Sequence, residues 1–226
     1  MLGIIPSMLS LLTGITMGKY IFVAGAPGSK WSSVVKNIYY SHDIDRGDYS
    51  ETRTYYHRAS GHLDLMHIGA YFDPGMEFGG WFDQLDQYSK EHCEQEFDKP
   101  WVGTAQGGIK IIKSHVFAAQ LDFLRDTWPE CPVILVHRTN DACLGWWVRC
   151  GHFNITYPKY TYYKDLDHMA WHIDYQNNCI LNAAAAADAD FDIVDNQHLC
   201  QRLGIVPPSD HWQSYPRSDI KVAVIK

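Results

Sequence analysis

The sequence predicts an α/β protein whose core is a mostly parallel β-sheet, and two observations support this fold class. Three short apolar runs, at residues 20–24, 109–112 and 132–136, have the composition of strands that are buried on both faces. Each run is followed by a polar turn and then by a segment whose apolar residues have helical spacing. Such alternation is typical of parallel sheets, because the crossover between parallel strands is usually a helix.

The remaining elements follow from apolar spacing and from chain-breaking residues. Helices are predicted at residues 33–40, 118–128, 142–150, 166–187 and 196–203. A short strand is predicted at residues 190–194 and an edge strand near the C-terminus, whereas residues 41–58 and 69–80 are predicted as loops. These elements form one predicted domain over residues 17–226. The apolar residues 1–16 are predicted to be an N-terminal extension, because they lack the basic start of a signal peptide and are few for a membrane span.

The composition of the 226-residue chain limits its classes of partner. A formal net charge of −7 argues against a nucleic-acid binder, which would normally carry a basic excess. The six cysteines show no C-x-x-C pair, so we expect free thiols in a reducing, cytoplasmic compartment, with no membrane partner. His57, His62 and His67 recur every five residues, an interval that suits neither one helix face nor one side of a strand, so no metal site is expected there.

The stretch after the first apolar run has the features of a phosphate-binding loop. It contains Gly25, Pro27 and Gly28, which break the strand, and then Ser29, Lys30, Ser32 and Ser33. N–H groups at the start of the following helix attract an anion, and the lysine and hydroxyl groups add further donors. The Mg²⁺-dependent loop G-x-x-x-x-G-K-[ST] needs Gly before the lysine and Ser or Thr after it, places that Ser29 and Trp31 hold here. We therefore expect a phosphate site that needs no Mg²⁺; the alternative is a tight turn with an incidental lysine.

Charged side chains also follow the other two predicted strands. Lys113 and His115 come after the strand at residues 109–112, and Arg138 follows the strand at residues 132–136. Ligands of open α/β sheets bind beyond the carboxyl ends of the strands, so these positions are candidates for a shared site. Arg138 is suited to grip a second phosphate bidentately, and the alternative is a structural ion pair with an acidic residue.

These three segments resemble motifs of the sulfotransferases that use PAPS, 3′-phosphoadenosine 5′-phosphosulfate. Residues 25–32, G-A-P-G-S-K-W-S, resemble the family's 5′-phosphosulfate loop. Lys113-Ser114-His115 resembles its K-T-H segment, and residues 133–147 resemble its 3′-phosphate segment. The resemblance implies a three-layer α/β sandwich of the P-loop NTPase-like type. It also implies metal-free, in-line transfer of a sulfuryl group from PAPS to a hydroxyl or amine of a small-molecule or carbohydrate acceptor.

The same resemblance implies a role for each site residue. His115 is the expected general base, and Lys30 and Lys113 are expected to stabilise charge on the transferring group and the leaving phosphate. Arg138 is expected to hold the 3′-phosphate. Loop N–H groups from Gly28 to Ser33 are expected to hold the 5′-phosphate. The other residues expected to bind the cofactor lie in the same loop, and the full loop set is Ala26, Pro27, Gly28, Ser29, Lys30, Trp31, Ser32 and Ser33.

Three departures from the family's pattern leave other functions open. Gly28 stands where the family has a basic residue, Lys30 stands where it has glycine, and Gly145 falls near its serine. One alternative is a nucleotide kinase that uses ATP–Mg²⁺, because G-A-P-G-S-K is similar to the adenylate kinase loop with one glycine missing. The other is a non-catalytic module that binds PAPS or its product PAP, adenosine 3′,5′-bisphosphate.

Overall fold

A five-stranded β-sheet forms the centre of the computed structural model, which describes residues 18–48, 69–72, 82–101, 107–149, 165–208 and 219–226. The strands are β1 (Tyr20–Gly25), β2 (Ala70–Tyr71), β3 (Lys110–Lys113), β4 (Val133–His137) and β5 (Lys221–Ile225). Their order across the sheet is β2-β3-β1-β4-β5. The first four strands are parallel and β5 is antiparallel to β4, so the predicted mostly parallel α/β sheet is confirmed. The N-terminal extension predicted at residues 1–16 lies outside the described residues.

Six α-helices and three 3₁₀-helices occur in the described part of the chain. The α-helices are α1 (Trp31–Tyr39), α2 (Lys90–Asp98), α3 (Leu121–Thr127), α4 (Asn140–Arg149), α5 (Leu166–Ala186) and α6 (Asn196–Leu203). The 3₁₀-helices are Phe82–Gln87, Lys99–Trp101 and His115–Gln120. None of these described helices combines the length and the apolar character that crossing a membrane requires.

Apolar side chains pack on both faces of the sheet, because successive residues of a strand point to opposite sides. On one face, Phe22 of β1 belongs to a cluster with side chains of α2, α3, α5 and the 3₁₀-helix His115–Gln120. On the other face, Val23 belongs to a cluster with side chains of α1 and α6. A sheet with helices on both faces is compatible with the predicted three-layer sandwich.

Strand β1 is anchored in the middle of this core. All of its residues are buried. The ring of Phe22 meets those of Phe97, Phe117 and Trp128 at centroid distances of 5.6, 5.3 and 5.5 Å. Full burial of one such side chain stabilises the folded state by about 1.5–3 kcal/mol. The carboxyl end of β1 at Gly25 is therefore a well-supported point from which the following loop starts.

The strand register brings three strand ends together. Val23 of β1 pairs with Lys113 at the end of β3, and Gly25 pairs with Val136 near the end of β4. Because the three strands are parallel, the residues that follow β3 and β4 lie beside the loop that follows β1. This edge of the sheet is where the charged side chains singled out in the sequence were expected to meet.

Most predicted helices and strands are present, with small shifts of their ends. Helix α6 has the predicted bounds, and the predicted C-terminal strand is β5, which lies at one edge of the sheet. Helix α1 begins at Trp31, two residues before the predicted start. The helix predicted at residues 118–128 begins earlier, as a 3₁₀-helix at His115, because Ser114 Oγ accepts a hydrogen bond from the backbone N–H of Val116 and caps that turn.

Two of the sequence predictions are wrong. Residues 190–194 form no strand. Of these residues only Ile193 is buried, and its N–H donates to the carbonyl of Val222 at 3.4 Å, so the segment contributes one long hydrogen bond rather than a ladder. The predicted loop at residues 69–80 contains β2, whose two residues are buried and pair with β3.

The described cysteines are free thiols, as the sequence predicts. They are Cys93, Cys131, Cys143, Cys179 and Cys200. Burial raises the pKa of Cys131 to about 11 and that of Cys143 to about 12, so both thiols stay protonated near neutral pH. Protonated, buried thiols are poor nucleophiles, and their contribution is to packing.

Candidate functional site

The loop between β1 and α1 turns tightly because two of its residues adopt left-handed backbone conformations. Gly28 has a φ of 80° and Lys30 a φ of 63°. The N–H of Ser29 donates to the carbonyl of Ala26 at 3.0 Å and closes the turn. Glycine adopts this conformation readily, whereas a lysine there costs about 1–2 kcal/mol. The chain therefore keeps a strained lysine at the position where the sulfotransferase motif has glycine.

Helix α4 packs directly against the loop at Gly28. A Cβ atom at this position would lie 2.2 Å from the carbonyl oxygen of Cys143, far inside contact distance. The backbone carbonyl of Gly28 accepts a hydrogen bond from Arg138 Nη1 at 3.1 Å. Position 28 therefore accepts no side chain in this backbone. This close packing is the physical reason that a basic residue, as in the sulfotransferase motif, does not fit here.

The inside of the loop contains a buried hydroxyl group that lacks an acceptor. Ser29 is fully buried, and its Oγ has no hydrogen-bond partner among the described residues. This oxygen lies 2.7 Å from the place that a Cβ on Gly25 would take, so the hydroxyl points back over the end of β1. The first turn of α1 follows at Trp31. The N–H of Ser33 in this turn already donates to the carbonyl of Lys30 at 2.8 Å, whereas those of Trp31 and Ser32 have no acceptor within the helix. Such a set of donors suits a phosphate or sulfate oxygen.

His115 connects the segment after β3 to the loop between β1 and α1. Its Nδ1 donates a hydrogen bond to the carbonyl of Gly25. Its ring stacks on that of Trp31, with centroids 4.2 Å apart and planes 6° apart, and meets the Tyr71 ring edge-on at 5.6 Å. Because a carbonyl oxygen only accepts, the proton of the neutral imidazole is on Nδ1 and the lone pair is on Nε2.

Lys113 places a positive charge beside the same loop. The residue is fully buried, and its Nζ donates to Ser32 Oγ at 3.2 Å. The Nζ atom also lies 5.5 Å from the ring centre of Trp31 and 5.9 Å from that of Tyr71. Aromatic rings at these distances attract a cation. An anion bound next to Ser32 would therefore meet an ammonium group that is already positioned.

Burial keeps two histidines of this region neutral. Burial lowers the pKa of His115 to about 3; the nearby His172 and Lys113 lower it further, whereas the hydrogen bond to Gly25 acts in the opposite direction. Burial also lowers the pKa of His172 to about 4. The two rings meet nearly at right angles, with centroids 6.4 Å apart. At neutral pH both imidazoles are uncharged, and His115 keeps a proton-accepting nitrogen.

Arg138 and Lys30 form a second charged group with Asp219. Arg138 Nε donates to Asp219 Oδ2 at 2.7 Å, and Nη2 lies 2.6 Å from the same oxygen. Lys30 Nζ lies 4.1 Å from the centre of the Trp146 ring on α4. Partial burial acts to raise the pKa of Asp219, but the bonds and charge of Arg138 and the charge of Lys30 lower it overall. The ion pair that the sequence left as an alternative for Arg138 is therefore present.

The structure thus brings the predicted site residues to one loop but divides them between two groups. One group contains Trp31, Ser32, Lys113 and His115, and the other contains Gly28, Lys30 and Arg138. Ala26 is fully buried and packs in a small apolar cluster with Cys143 and Trp147, so its side chain serves the core. Pro27 is buried and Ser33 is exposed.

Three residues of this site were not among the predicted ones: Tyr71, His172 and Asp219. A signal for Asp219 existed in the sequence. A C-terminal strand that runs antiparallel to β4 begins beside the end of β4, which places the residues before it next to Arg138. Tyr71 belongs to a strand of two residues, which is too short to show a periodic pattern. His172 lies among polar and apolar residues of α5 without a distinguishing pattern.

Within the described ranges, no group of three or more His, Cys, Asp or Glu side chains is arranged to hold a metal ion. The interpretation of His57, His62 and His67 lies outside those ranges.

No protein-family model, no curated protein and no solved structure matches this chain.

We predict that Gly28→Ala destabilises the protein more than Gly107→Ala. Both glycines have positive φ, 80° and 69°, but a Cβ on Gly107 meets nothing within 4 Å. The left-handed backbone alone should cost each variant about 1 kcal/mol of unfolding free energy. The clash with the Cys143 carbonyl should add about 1–3 kcal/mol for Gly28→Ala. Urea denaturation measures both losses, and equal losses would mean that α4 does not pack on the loop as described.

Acidification should destabilise the folded protein through its buried histidines. A histidine whose pKa is lower when folded than when unfolded, about 6.5, binds fewer protons in the folded state. Its contribution to stability is fully present above pH 6.5 and is lost as the pH falls toward the folded pKa, about 3 for His115 and about 4 for His172. Between pH 7 and pH 5, each should remove about 2 kcal/mol from the unfolding free energy.

Denaturation of His115→Phe and His172→Phe at pH 7 and pH 5 measures this effect. Each substitution should reduce the pH-dependent loss by about 2 kcal/mol, because the depressed titration of that histidine is gone. His137, whose pKa is also lowered by burial and by Lys221, keeps its contribution in every variant. His42→Asn removes an exposed histidine and should leave the loss unchanged. A loss that is the same in all three variants as in the wild type would show that neither buried histidine is held neutral by folding.

Proposed function

We propose that this protein is a sulfotransferase that moves a sulfuryl group from PAPS to a hydroxyl or amine of an acceptor. The observation that carries the proposal is the convergence of three strand ends on one loop. His115, after β3, contacts Gly25 and Trp31, and Arg138, after β4, contacts Gly28. The P-loop-like form of the fold belongs to the same proposal, since β1 and its loop occupy the centre of the sheet.

The loop would hold the 5′-phosphosulfate of the donor. Ser29 Oγ is a buried donor without a partner among the described residues, and Ser32 lies within hydrogen-bond distance of Lys113. Helix α1, nine residues long, begins at the loop, and its dipole favours negative charge there. Hydroxyl groups, helix N–H groups and an ammonium thus lie together at one strand end.

Arg138 would hold the 3′-phosphate. It follows the strand next to β1, it is 8% exposed, and its Nη1 is already bonded to the loop carbonyl of Gly28. The guanidinium edge formed by Nε and Nη2 matches two oxygens of one phosphate. A second phosphate at this place would distinguish PAPS from ordinary nucleotides, because ATP has no 3′-phosphate.

In the proposed reaction, PAPS supplies the sulfuryl group. A bond forms between the acceptor's oxygen or nitrogen and sulfur, while the bond from sulfur to the 5′-phosphate oxygen breaks and that oxygen keeps the electron pair. His115 would take the acceptor's proton on Nε2, because Nδ1 is held by Gly25. Lys113 would offset negative charge on the transferring group and the leaving phosphate. Lys30, for which the resemblance implies the same role, lies over Trp146 beside the Arg138–Asp219 pair, so its charge acts on the 3′-phosphate side of the site.

The low pKa of His115 restricts how it acts as a base. A pKa of about 3 makes the imidazole weak, so full removal of a hydroxyl proton before bond formation is not expected. Phosphoryl transfer passes through a loose transition state, and we extend this description to the similar sulfuryl group. In such a state the acceptor's proton becomes acidic late. A neutral, oriented imidazole is sufficient to receive it at that point.

The burial of His115 favours one alternative, a module that binds PAP or PAPS without transferring sulfate. The residue is 4% exposed and is covered by Trp31 and Tyr71, which limits an acceptor's access to Nε2. The kinase alternative has less support. Trp31 stands where a Mg²⁺-binding hydroxyl would be needed, and the next hydroxyl, that of Ser32, is engaged by Lys113.

The partners in this proposal are those that the resemblance implies: PAPS as donor and a small-molecule or carbohydrate acceptor. The net charge of −7 gives no support for a nucleic-acid partner. The free thiols support the cytoplasmic location that the sequence predicts, because reducing compartments keep thiols unpaired.

Calorimetric titration with PAP tests the donor site. The wild-type protein should bind PAP and prefer it to ATP–Mg²⁺. Arg138→Ala should weaken PAP binding about 10- to 100-fold, the range for one charged bidentate contact. Arg138→Lys keeps the positive charge but loses the planar pair of N–H donors. Its affinity for PAP should therefore lie between those of the wild type and Arg138→Ala. Arg202→Ala is the matched control, since its guanidinium pairs with Asp192, and it should leave affinity unchanged.

Transfer needs a second measurement, with PAPS labelled on sulfur and a panel of phenols, amines and sugars. An enzyme should form a labelled product, and His115→Ala should slow its formation about 10²–10⁴-fold. Binding of PAP without transfer to any acceptor would favour the non-catalytic module. Binding of ATP–Mg²⁺ alone would favour a kinase, and binding of neither nucleotide would contradict the proposed site.

A further inference from the structure

The guanidinium edge of Arg138 that suits a phosphate is occupied by a carboxylate of the chain itself. Nε and Nη2 both reach Asp219 Oδ2, at 2.7 and 2.6 Å. Nη1 points instead to the loop and donates to Gly28 O. One carboxylate oxygen thus takes the two donors that would otherwise serve two oxygens of an incoming anion.

Asp219 is the more solvent-exposed partner of this ion pair. The Arg138 side chain is 10% exposed, whereas that of Asp219 is 41% exposed. A ligand from solution would reach the guanidinium by the side that Asp219 occupies, because the opposite side is closed by the loop carbonyl of Gly28. The Asp219 side chain is also the part of this pair that is free of packing on more than a third of its surface, so it is the part that can rotate away.

Asp219 neutralises only part of the positive charge that surrounds it. Arg138 and Lys30 each carry one positive charge, and both act on Asp219. Lys30 Nζ lies over Trp146, on the helix that packs against the loop. The three side chains together have a net charge of about +1. A phosphate dianion in place of the carboxylate would be attracted more strongly than a single negative charge.

We propose that Asp219 is the internal occupant of an anion subsite at Arg138, and that a phosphate dianion enters this subsite by displacing it. The proposal rests on the proposed function in assigning that dianion to the 3′-phosphate of the donor. The exchange breaks the hydrogen bonds from Arg138 to Asp219 and forms equivalent bonds to phosphate, while the bond to Gly28 is kept.

This exchange makes Asp219 a specificity-determining residue. A nucleotide without a 3′-phosphate has no group that can replace the Asp219 carboxylate on Arg138. The ion pair therefore stays intact, and such a nucleotide does not enter the subsite. A ligand with a 3′-phosphate forms the replacement bonds to Arg138, and its dianionic phosphate is attracted more strongly than the carboxylate. The fold allows this motion of one side chain, because the chain directly after Asp219 is anchored: Ile220 is buried and Lys221 pairs with His137 of β4.

The experiment is calorimetric titration of the full-length protein with two probes, PAP and inorganic phosphate. The variants are Asp219→Asn and the double variant Asp219→Asn with Arg138→Ala. Asp219→Asn removes the competing charge and should bind both probes about 10-fold more tightly than the wild type, the factor for one charge-assisted contact. Adding Arg138→Ala should abolish that gain. Asp192→Asn, which removes the carboxylate partner of Arg202, should leave both affinities unchanged.

The outcomes separate this proposal from the proposed function. Tighter phosphate binding by Asp219→Asn, lost on Arg138→Ala, with no PAP binding in any variant, would support the anion subsite and contradict the sulfotransferase. Equal PAP affinity in wild type and Asp219→Asn would support the donor site and overturn the exchange. Weaker binding by Asp219→Asn, with an unchanged melting temperature, would also overturn it. No binding of either probe to any variant would contradict both.

Discussion

The parallel pairing of β1 with both β3 and β4 is the constraint on which the site depends. It sets Val23 opposite Lys113 and Gly25 opposite Val136, so three chain segments leave the sheet side by side. Nothing in the loop alone would bring His115 to the carbonyl of Gly25 or Arg138 to the carbonyl of Gly28. The aromatic packing around Phe22 holds this register, and the loop, the imidazole and the guanidinium take their positions from it.

The features of the loop that are costly for stability are also those that suit an anion. Lys30 is in the left-handed region, which costs a non-glycine residue about 1–2 kcal/mol, and Ser29 Oγ is buried without a described partner. Lys113 is buried beside aromatic rings, and His115 is buried in its neutral form. Local strain and buried polar groups of this kind concentrate where a ligand later compensates for them.

Much of the fold was predictable because strongly patterned segments determine their own structure. The buried run of β1 and the helix at residues 196–203 are examples, and their apolar pattern leaves little choice. Residues 190–194 were predicted as a strand from composition alone, yet only Ile193 finds a buried place. Of the site, the loop, Lys113, His115 and Arg138 were identified because strand ends are where ligands bind. The partner of Arg138 was not, because Asp219 is far along the chain and its position follows from strand pairing.

The decisive measurement is a structure determined with bound PAP, because it locates both phosphates relative to the three strand ends. We expect the 5′-phosphate in the loop, within hydrogen-bond distance of Ser29 and Lys113. We expect the 3′-phosphate on Nε and Nη2 of Arg138, with Asp219 turned away. PAP bound elsewhere on the protein, or no bound PAP at a saturating concentration, would contradict the assignment of this loop as a donor site.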